Sequence, residues 1–329
     1  MSEVYLMHVF DCDSKIVFGK GVIYKVKEFS KGRAAIVTTR SLLYSNLLKE
    51  LNDLVKGEIV VGPKQHATEN EVRELAQKLV NYDTVISLGG GSIIDSVKLA
   101  FNGLHIAIPT TYSGAENTTI AGFTRDGLKV GSKTRRVNVI ILDSLATHET
   151  PIGLLRTSGV RAIDHSIEAL YSPKSNPLSD SLAIEGYNKL IKCLINLGDE
   201  EERLNCFIGS FLSSRAMELS GRGLSHIFGY VFGPRFNIPH GVTSCISLVK
   251  SIQLNYDFIK GKLKYLERNP LDFLNENYSE LCGDNRLSNY VKKEEALNLV
   301  PLLTQMVNNS ENPRKLSEEE VRKFVESLY

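Results

Sequence analysis

Three histidines and one arginine carry most of the chemical information in this chain. Arg161 and His165 are four residues apart in the run Thr157-Ser-Gly-Val-Arg-Ala-Ile-Asp-His165-Ser-Ile-Glu168. That run reads as a helix, so the two side chains share one face. His226 and His240 lie fourteen residues apart, framed by glycines and ending in Pro239-His-Gly241. Three imidazoles make a partial ligand set for a divalent ion such as iron or zinc. A guanidinium cannot ligate a metal, and its charge repels one. Asp164 follows Arg161 by three residues and can pair with it along the helix. It is turned about 100° from His165 around the helix axis, which makes it a poor replacement ligand. A fixed guanidinium has two other uses. It can stabilise a developing alkoxide as a charged donor, or hold a substrate carboxylate through a bidentate pair. Tyr230 adds a second donor, and Arg235 adds charge suited to an acidic substrate.

A second group of residues suits a nucleotide. Gly89-Gly90-Gly91-Ser92-Ile-Ile-Asp95 joins a strand to a helix. Glycines let the backbone approach a ligand closely, and the N–H groups at a helix start attract phosphate. The spacing departs from G-x-G-x-x-G, because Ile94 stands at the third glycine position. Pro109-Thr110-Thr111-Tyr-Ser113-Gly-Ala-Glu116 follows the next strand and brings hydroxyls to the same edge of the sheet, where open α/β sheets bind ligands. Thr39 follows an earlier strand, beside Arg40. This pair permits a 2′-phosphate, hence NADPH as well as NADH.

The elements that position these groups alternate over the first half. Residues 34–38, 58–61, 84–88, 105–108 and 138–142 read as β-branched strands, with helical periods over 42–56, 69–81 and from the glycines to 101. Residues 4–10 and 16–18 suit an edge strand or hairpin. Such alternation predicts a Rossmann-like parallel sheet covered on both faces. Helical periods dominate the second half, over 159–171, 178–197, 201–220 and 241–256, with a turn at 309–314 before a last amphipathic helix. The expected division is an α/β dinucleotide-binding domain over 1–148 and an all-helical domain over 149–329 that carries the histidines. Net charge is +1, which gives no electrostatic case for nucleic acid or an anionic membrane. The apolar runs are too short to cross a bilayer, and no signal-peptide pattern opens the chain. Five scattered cysteines without a CxxC suggest free buried thiols in the cytoplasm.

Taken together, Gly-Gly-Gly-Ser-x-x-Asp95, Pro109-Thr-Thr, the helix with His165 and Glu168, and His226…Pro239-His240-Gly resemble the iron-containing (group III) alcohol dehydrogenase family, from Phe18-Gly-Lys-Gly21 to Val249. The resemblance implies a dehydroquinate synthase-like fold, NAD(P)H as cofactor and a homodimer. Within the family, the loop ending at Glu116, Glu168-Ala-Leu-Tyr171 and Asn176-Pro177 look like the maleylacetate reductase branch, while the triple glycine looks like the alcohol dehydrogenases. Three departures stand out. The family's metal aspartate is Arg161, a candidate proton-carrying histidine is Tyr230, and the acid after the first strand is Thr39. The resemblance therefore implies an NAD(P)H-dependent reductase of an oxo-acid that works without metal. Arg161, His165, His226, Tyr230 and His240 are the candidate catalytic residues. Two alternatives stand beside this reading. One is an iron- or zinc-dependent dehydrogenase of a small alcohol or aldehyde, with His165, His226 and His240 as ligands. The other is a nucleotide-binding relative without catalysis.

Overall fold

The computed structural model describes residues 8–11 and 14–329. Residues 4–7 of the expected edge hairpin, and Cys12, lie outside the described residues. The remainder of that hairpin forms β1 (His8–Asp11) and β2 (Lys15–Phe18), paired antiparallel. A short helix, α1 (Val26–Phe29), follows. Then β3 (Ala34–Thr38), α2 (Asn46–Val55), β4 (Glu58–Val61), α3 (Glu69–Leu79), β5 (Thr84–Gly89), α4 (Gly91–Ala100) and β6 (Leu104–Pro109) alternate. The seven-stranded sheet has the order β1-β2-β9-β6-β5-β3-β4, with β9 at Val139–Leu142. Every pairing except β1 with β2 is parallel. All residues of β3, β5 and β9 are buried, as expected for strands covered on both faces. From β3 the chain moves outward to β4, then crosses back to β5 on the other side. The carboxyl ends of β3 and β5 therefore flank the switch point where such sheets bind ligands.

A hairpin that strand periodicity did not reveal, β7 (Ile120–Arg125) with β8 (Leu128–Lys133), forms its own two-stranded sheet. Its two-residue turn has positive φ at Asp126 (52°) and Gly127 (72°). This is the mirror-image turn that Asp-Gly favours and that matches strand twist.

The second half is helical. It holds α5 (Ile152–Tyr171), α6 (Pro177–Cys193), α7 (Glu200–Ser220), α8 (Leu224–Arg235) and α9 (His240–Leu254), then shorter helices. The last helix, Glu318–Glu326, starts with a capping box between Ser317 and Glu320. The glycine-rich stretch before His240 gave no helical expectation, yet it forms α8. Glycine lowers helix propensity, but nearly every residue of α8 is buried and packing outweighs propensity.

Two compact units emerge. One takes the described residues through Arg125, then Val130–Leu155 and Leu197–Phe207. The other takes Asp126–Lys129, Arg156–Asn196 and Ile208–Tyr329. The unit border thus falls inside α5 instead of near residue 148, because one continuous helix serves both units. Its own core is built from α8, α9 and the C-terminal helices around Phe228, Phe232, Leu303 and Phe324. The cysteines correct one expectation. Cys245 and Cys282 are free and buried, but Cys193 and Cys206 are disulfide-bonded. Their separation in sequence gives no sign of this. No helix of the described residues is long and apolar enough to cross a membrane.

Candidate active site

From Thr157 onward every residue of α5 is buried, including Arg161, Asp164, His165, Ser166 and Glu168. A buried helix this polar holds only if its charges find partners. α8 and α9 supply them, at close range. A Cβ at Gly241 would lie 2.6 Å from the Thr157 carbonyl oxygen, so α9 can approach α5 only with glycine there.

Arg161 is 3% exposed. Its Nη1 donates to Ser244 Oγ (2.9 Å) and approaches Asp164 Oδ2 (3.3 Å). Its Nη2 lies 2.8 Å from His240 Nε2. A guanidinium only donates, so His240 Nε2 is the accepting nitrogen. Arg161 Nε is buried with no hydrogen-bond partner. The expected helix pair with Asp164 therefore forms, but it is one of three contacts. Asp164 Oδ2 also accepts from Ser225 (2.7 Å) and Ser244 (2.6 Å). Burial opposes its charge, but His226, Arg161 and Ser244 together hold it well below the usual carboxylate range.

Glu168 has a structural task that its motif did not disclose. It accepts from the backbone N–H groups of Gly223 (2.6 Å) and Ser225 (2.8 Å) and from the Tyr171 hydroxyl (2.8 Å). A carboxylate here satisfies the N–H groups at the start of α8 and complements its dipole. His226 Nδ1 lies 2.8 Å from Glu168 Oε2 and 3.6 Å from Asp164 Oδ2. Ligand atoms of Asp164, Glu168 and His226 fall within 4.8 Å of one another. Glu168 and Asp164 Oδ2 are engaged by serine, tyrosine and backbone donors, while Asp164 Oδ1 is buried with no hydrogen-bond partner. The His165 and His226 rings are 4.9 Å apart. Burial, then the His226 and Arg161 charges, push the His165 imidazole well below its usual value, so it is neutral at pH 7.

Tyr230 accepts from Arg222 Nη1, and its ring stacks on His240 with centroids 6.1 Å apart. Burial pushes its phenol up, but Arg222, Lys129 and Arg161 prevail and hold it below its ordinary value. The sequence reading missed Ser244, Arg222 and Lys129. Arg222 stands beside the glycines, but nothing local links Lys129 to Tyr230. Arg235 is exposed at the end of α8.

The sheet unit gathers the other candidates. Gly90 caps α4 without a side-chain bond, which leaves the first N–H groups of the helix to a ligand. A Cβ at Gly90 would lie 3.2 Å from Thr111 Oγ1, and one at Gly91 2.8 Å from Ser113 Oγ. At Gly89 it would meet Thr39 Cγ2 at 3.5 Å. Thr39, Gly89, Gly90, Gly91, Thr111 and Ser113 therefore form one cradle at the switch point. Thr110 joins through its backbone N–H to the Gly89 carbonyl (3.0 Å). Ser92 lies in the first turn of α4, and its carbonyl accepts from Ser96 (2.7 Å). Asp95 faces away from this task. Its Oδ2 accepts from Gly122 N (3.0 Å), and Lys98 Nζ is 3.7 Å from Oδ1.

Two family models account for this arrangement. Residues 13–144 match iron-containing alcohol dehydrogenase, and residues 156–329 match the C-terminal part of the Fe-containing alcohol dehydrogenase family. The chain belongs to the iron-containing alcohol dehydrogenase family. It is 31% identical over 251 residues to maleylacetate reductase 2 of Cupriavidus pinatubonensis, covering 71% of this chain and 70% of that one. It shares its fold with the iron-containing alcohol dehydrogenase of Thermococcus thioreducens, with a TM-score of 0.85, 22% identity, and 97% and 99% of the two chains covered. The sulfoacetaldehyde reductase of Bifidobacterium kashiwanohense, solved with NAD+, has a TM-score of 0.83 at 20% identity, covering 97% and 98%. The protein is an NAD(P)-dependent oxidoreductase that resembles maleylacetate reductase, which removes the non-catalytic alternative.

Proposed function

We propose that the protein reduces an oxo-acid with NAD(P)H and does so without a bound metal. One observation carries this reading: the Arg161 guanidinium lies 2.8 Å from His240 Nε2. That nitrogen is occupied by a fixed positive charge, at the helix position where the family has a metal-binding aspartate. A set of His165, His226 and His240 around iron or zinc does not fit beside that charge.

The nucleotide fits the sheet unit. The uncapped start of α4 would take its phosphates, and the space at Gly90 and Gly91 that a Cβ would fill admits them. When bound, the reduced nicotinamide supplies the hydride. Arg161, with an unpaired Nε–H, places a charged donor where negative charge develops on the substrate oxygen. Tyr230, its phenol made more acidic by surrounding cations, gives the proton to that oxygen and regains one from solvent. His165, neutral and buried, can hold the substrate without adding charge. Thr39 beside Arg40 supports acceptance of NADPH. Family membership supports a cytoplasmic homodimer, which light scattering checks.

The test is metal analysis of the purified protein, alongside NADH and NADPH oxidation with an oxo-diacid and with a neutral aldehyde. Substoichiometric iron and zinc, with turnover indifferent to chelators, is the expected result. Tightly held metal with chelator-sensitive turnover overturns it. Arg161→Asp should gain divalent metal binding.

A further inference from the structure

Tyr230 is surrounded by cations that the buried network around Asp164 does not consume. Arg222, just ahead of α8, donates to the Tyr230 hydroxyl, and its Cζ is 5.5 Å from the ring centroid. Lys129, at the start of β8, has its Nζ 5.9 Å from the same centroid. Among the described residues Lys129 enters no ion pair. No carboxylate among the described residues bonds the Arg222 guanidinium directly: Glu311 accepts from its backbone N–H (3.3 Å), and the Glu311 and Glu168 charges act on the guanidinium only through space. The other Glu311 oxygen is held by Lys174 at 2.8 Å. Both cations are partly buried. Like charges gathered around one phenol repel, and an anion between them would relieve that repulsion. Arg161 cannot serve here, since both its Nη atoms are already bonded to Ser244 and His240.

We infer that Arg222 and Lys129 form an anion-recognition pair that holds a substrate carboxylate beside Tyr230 and sets the preference for acidic over neutral carbonyl compounds. The inference rests on the oxo-acid reading above. The guanidinium offers a planar fork for two carboxylate oxygens, and the ammonium adds a point charge from the hairpin. A carboxylate seated there leaves the Tyr230 hydroxyl within the same pocket of charge. Lys129 would then sense substrate through a loop whose turn is fixed by Asp126 and Gly127.

Succinate, a saturated diacid that cannot be reduced, tests the pair without turnover. Its binding to the full-length protein is measured by titration calorimetry at low salt, for the wild type, Lys129→Met, Arg222→Met and Arg222→Lys. The expected result is binding by the wild type, weakened about tenfold or more in each methionine variant and partly restored in Arg222→Lys. Lys129 is only partly buried, in a two-stranded hairpin, so Lys129→Met keeps the test decisive even if Arg222→Met fails to fold. Succinate binding that is absent in the wild type, or unchanged in Lys129→Met and Arg222→Lys, overturns the pair. Oxo-acid turnover by the wild type is scored separately. Its absence with succinate bound as expected sinks the reductase reading and leaves the pair standing. Normal oxo-acid KM in Lys129→Met sinks the pair and leaves the reductase.

Discussion

Glu116, the last residue of the hydroxyl-rich loop, offers a quantitative test of the electrostatics beside the proposed nucleotide cradle. It is 1% exposed, and its Oε2 has no hydrogen-bond partner. Burial pushes its carboxyl from 4.5 up to about 7, against smaller opposing effects from its own backbone and from Lys98. Folded protein therefore keeps a proton that the unfolded chain releases. Between pH 4.5 and about 7 the folded state binds more protons, so stability falls as pH rises through that window. At about 1.36 kcal/mol per unit, the full effect is roughly 3 kcal/mol. Most of it lies between pH 5 and 8. Glu116→Gln keeps the shape and the acceptor for Asn117 (3.1 Å) but cannot ionise. Urea unfolding of both proteins at pH 5 and pH 8 measures the difference. The variant should gain about 2–3 kcal/mol on the wild type at pH 8 relative to pH 5. Equal pH dependence in the two proteins would refute a proton-bearing Glu116 and the dry environment assigned to it.

Arg161→Met should destabilise by about 3–5 kcal/mol at neutral pH, because Asp164 is left buried without its guanidinium. The loss should shrink as acid protonates Asp164, which urea midpoints at two pH values would detect. Glu168→Gln removes the charged acceptor for the Gly223 and Ser225 N–H groups and should lower stability by about 2 kcal/mol. An unchanged urea midpoint contradicts its capping role. Gly91→Ala places a Cβ 2.8 Å from Ser113 Oγ and 3.2 Å from Ser113 Cβ, so the Ser113 side chain must shift and the space at the start of α4 is filled. NADH affinity, followed by fluorescence, should fall about tenfold, or roughly 1.4 kcal/mol. Retained affinity would argue against this cradle.

Local pattern was enough to define much of this protein. Strands 34–38, 58–61 and 84–88 are visible as apolar runs of the right length, and the parallel sheet follows from their alternation with helices. The triple glycine is legible because one chain segment contains the strand end, the turn and the helix start. Arg161 and His165 share a face because four residues make about one helical turn. The Asp126-Gly127 turn was equally local, yet the weakly alternating strands beside it hid the hairpin. Tertiary structure alone decided what meets those side chains. Ser244 and His240 reach Arg161 from 83 and 79 residues away, and Glu168 closes the start of α8 from 55 residues away. Periodicity tells which face of α5 is buried. It carries no information about which distant donor fills the space, because that depends on how closely helices can pack. Here Gly241 against the Thr157 backbone sets that distance, and with it whether a buried charge meets a metal, a substrate or a serine.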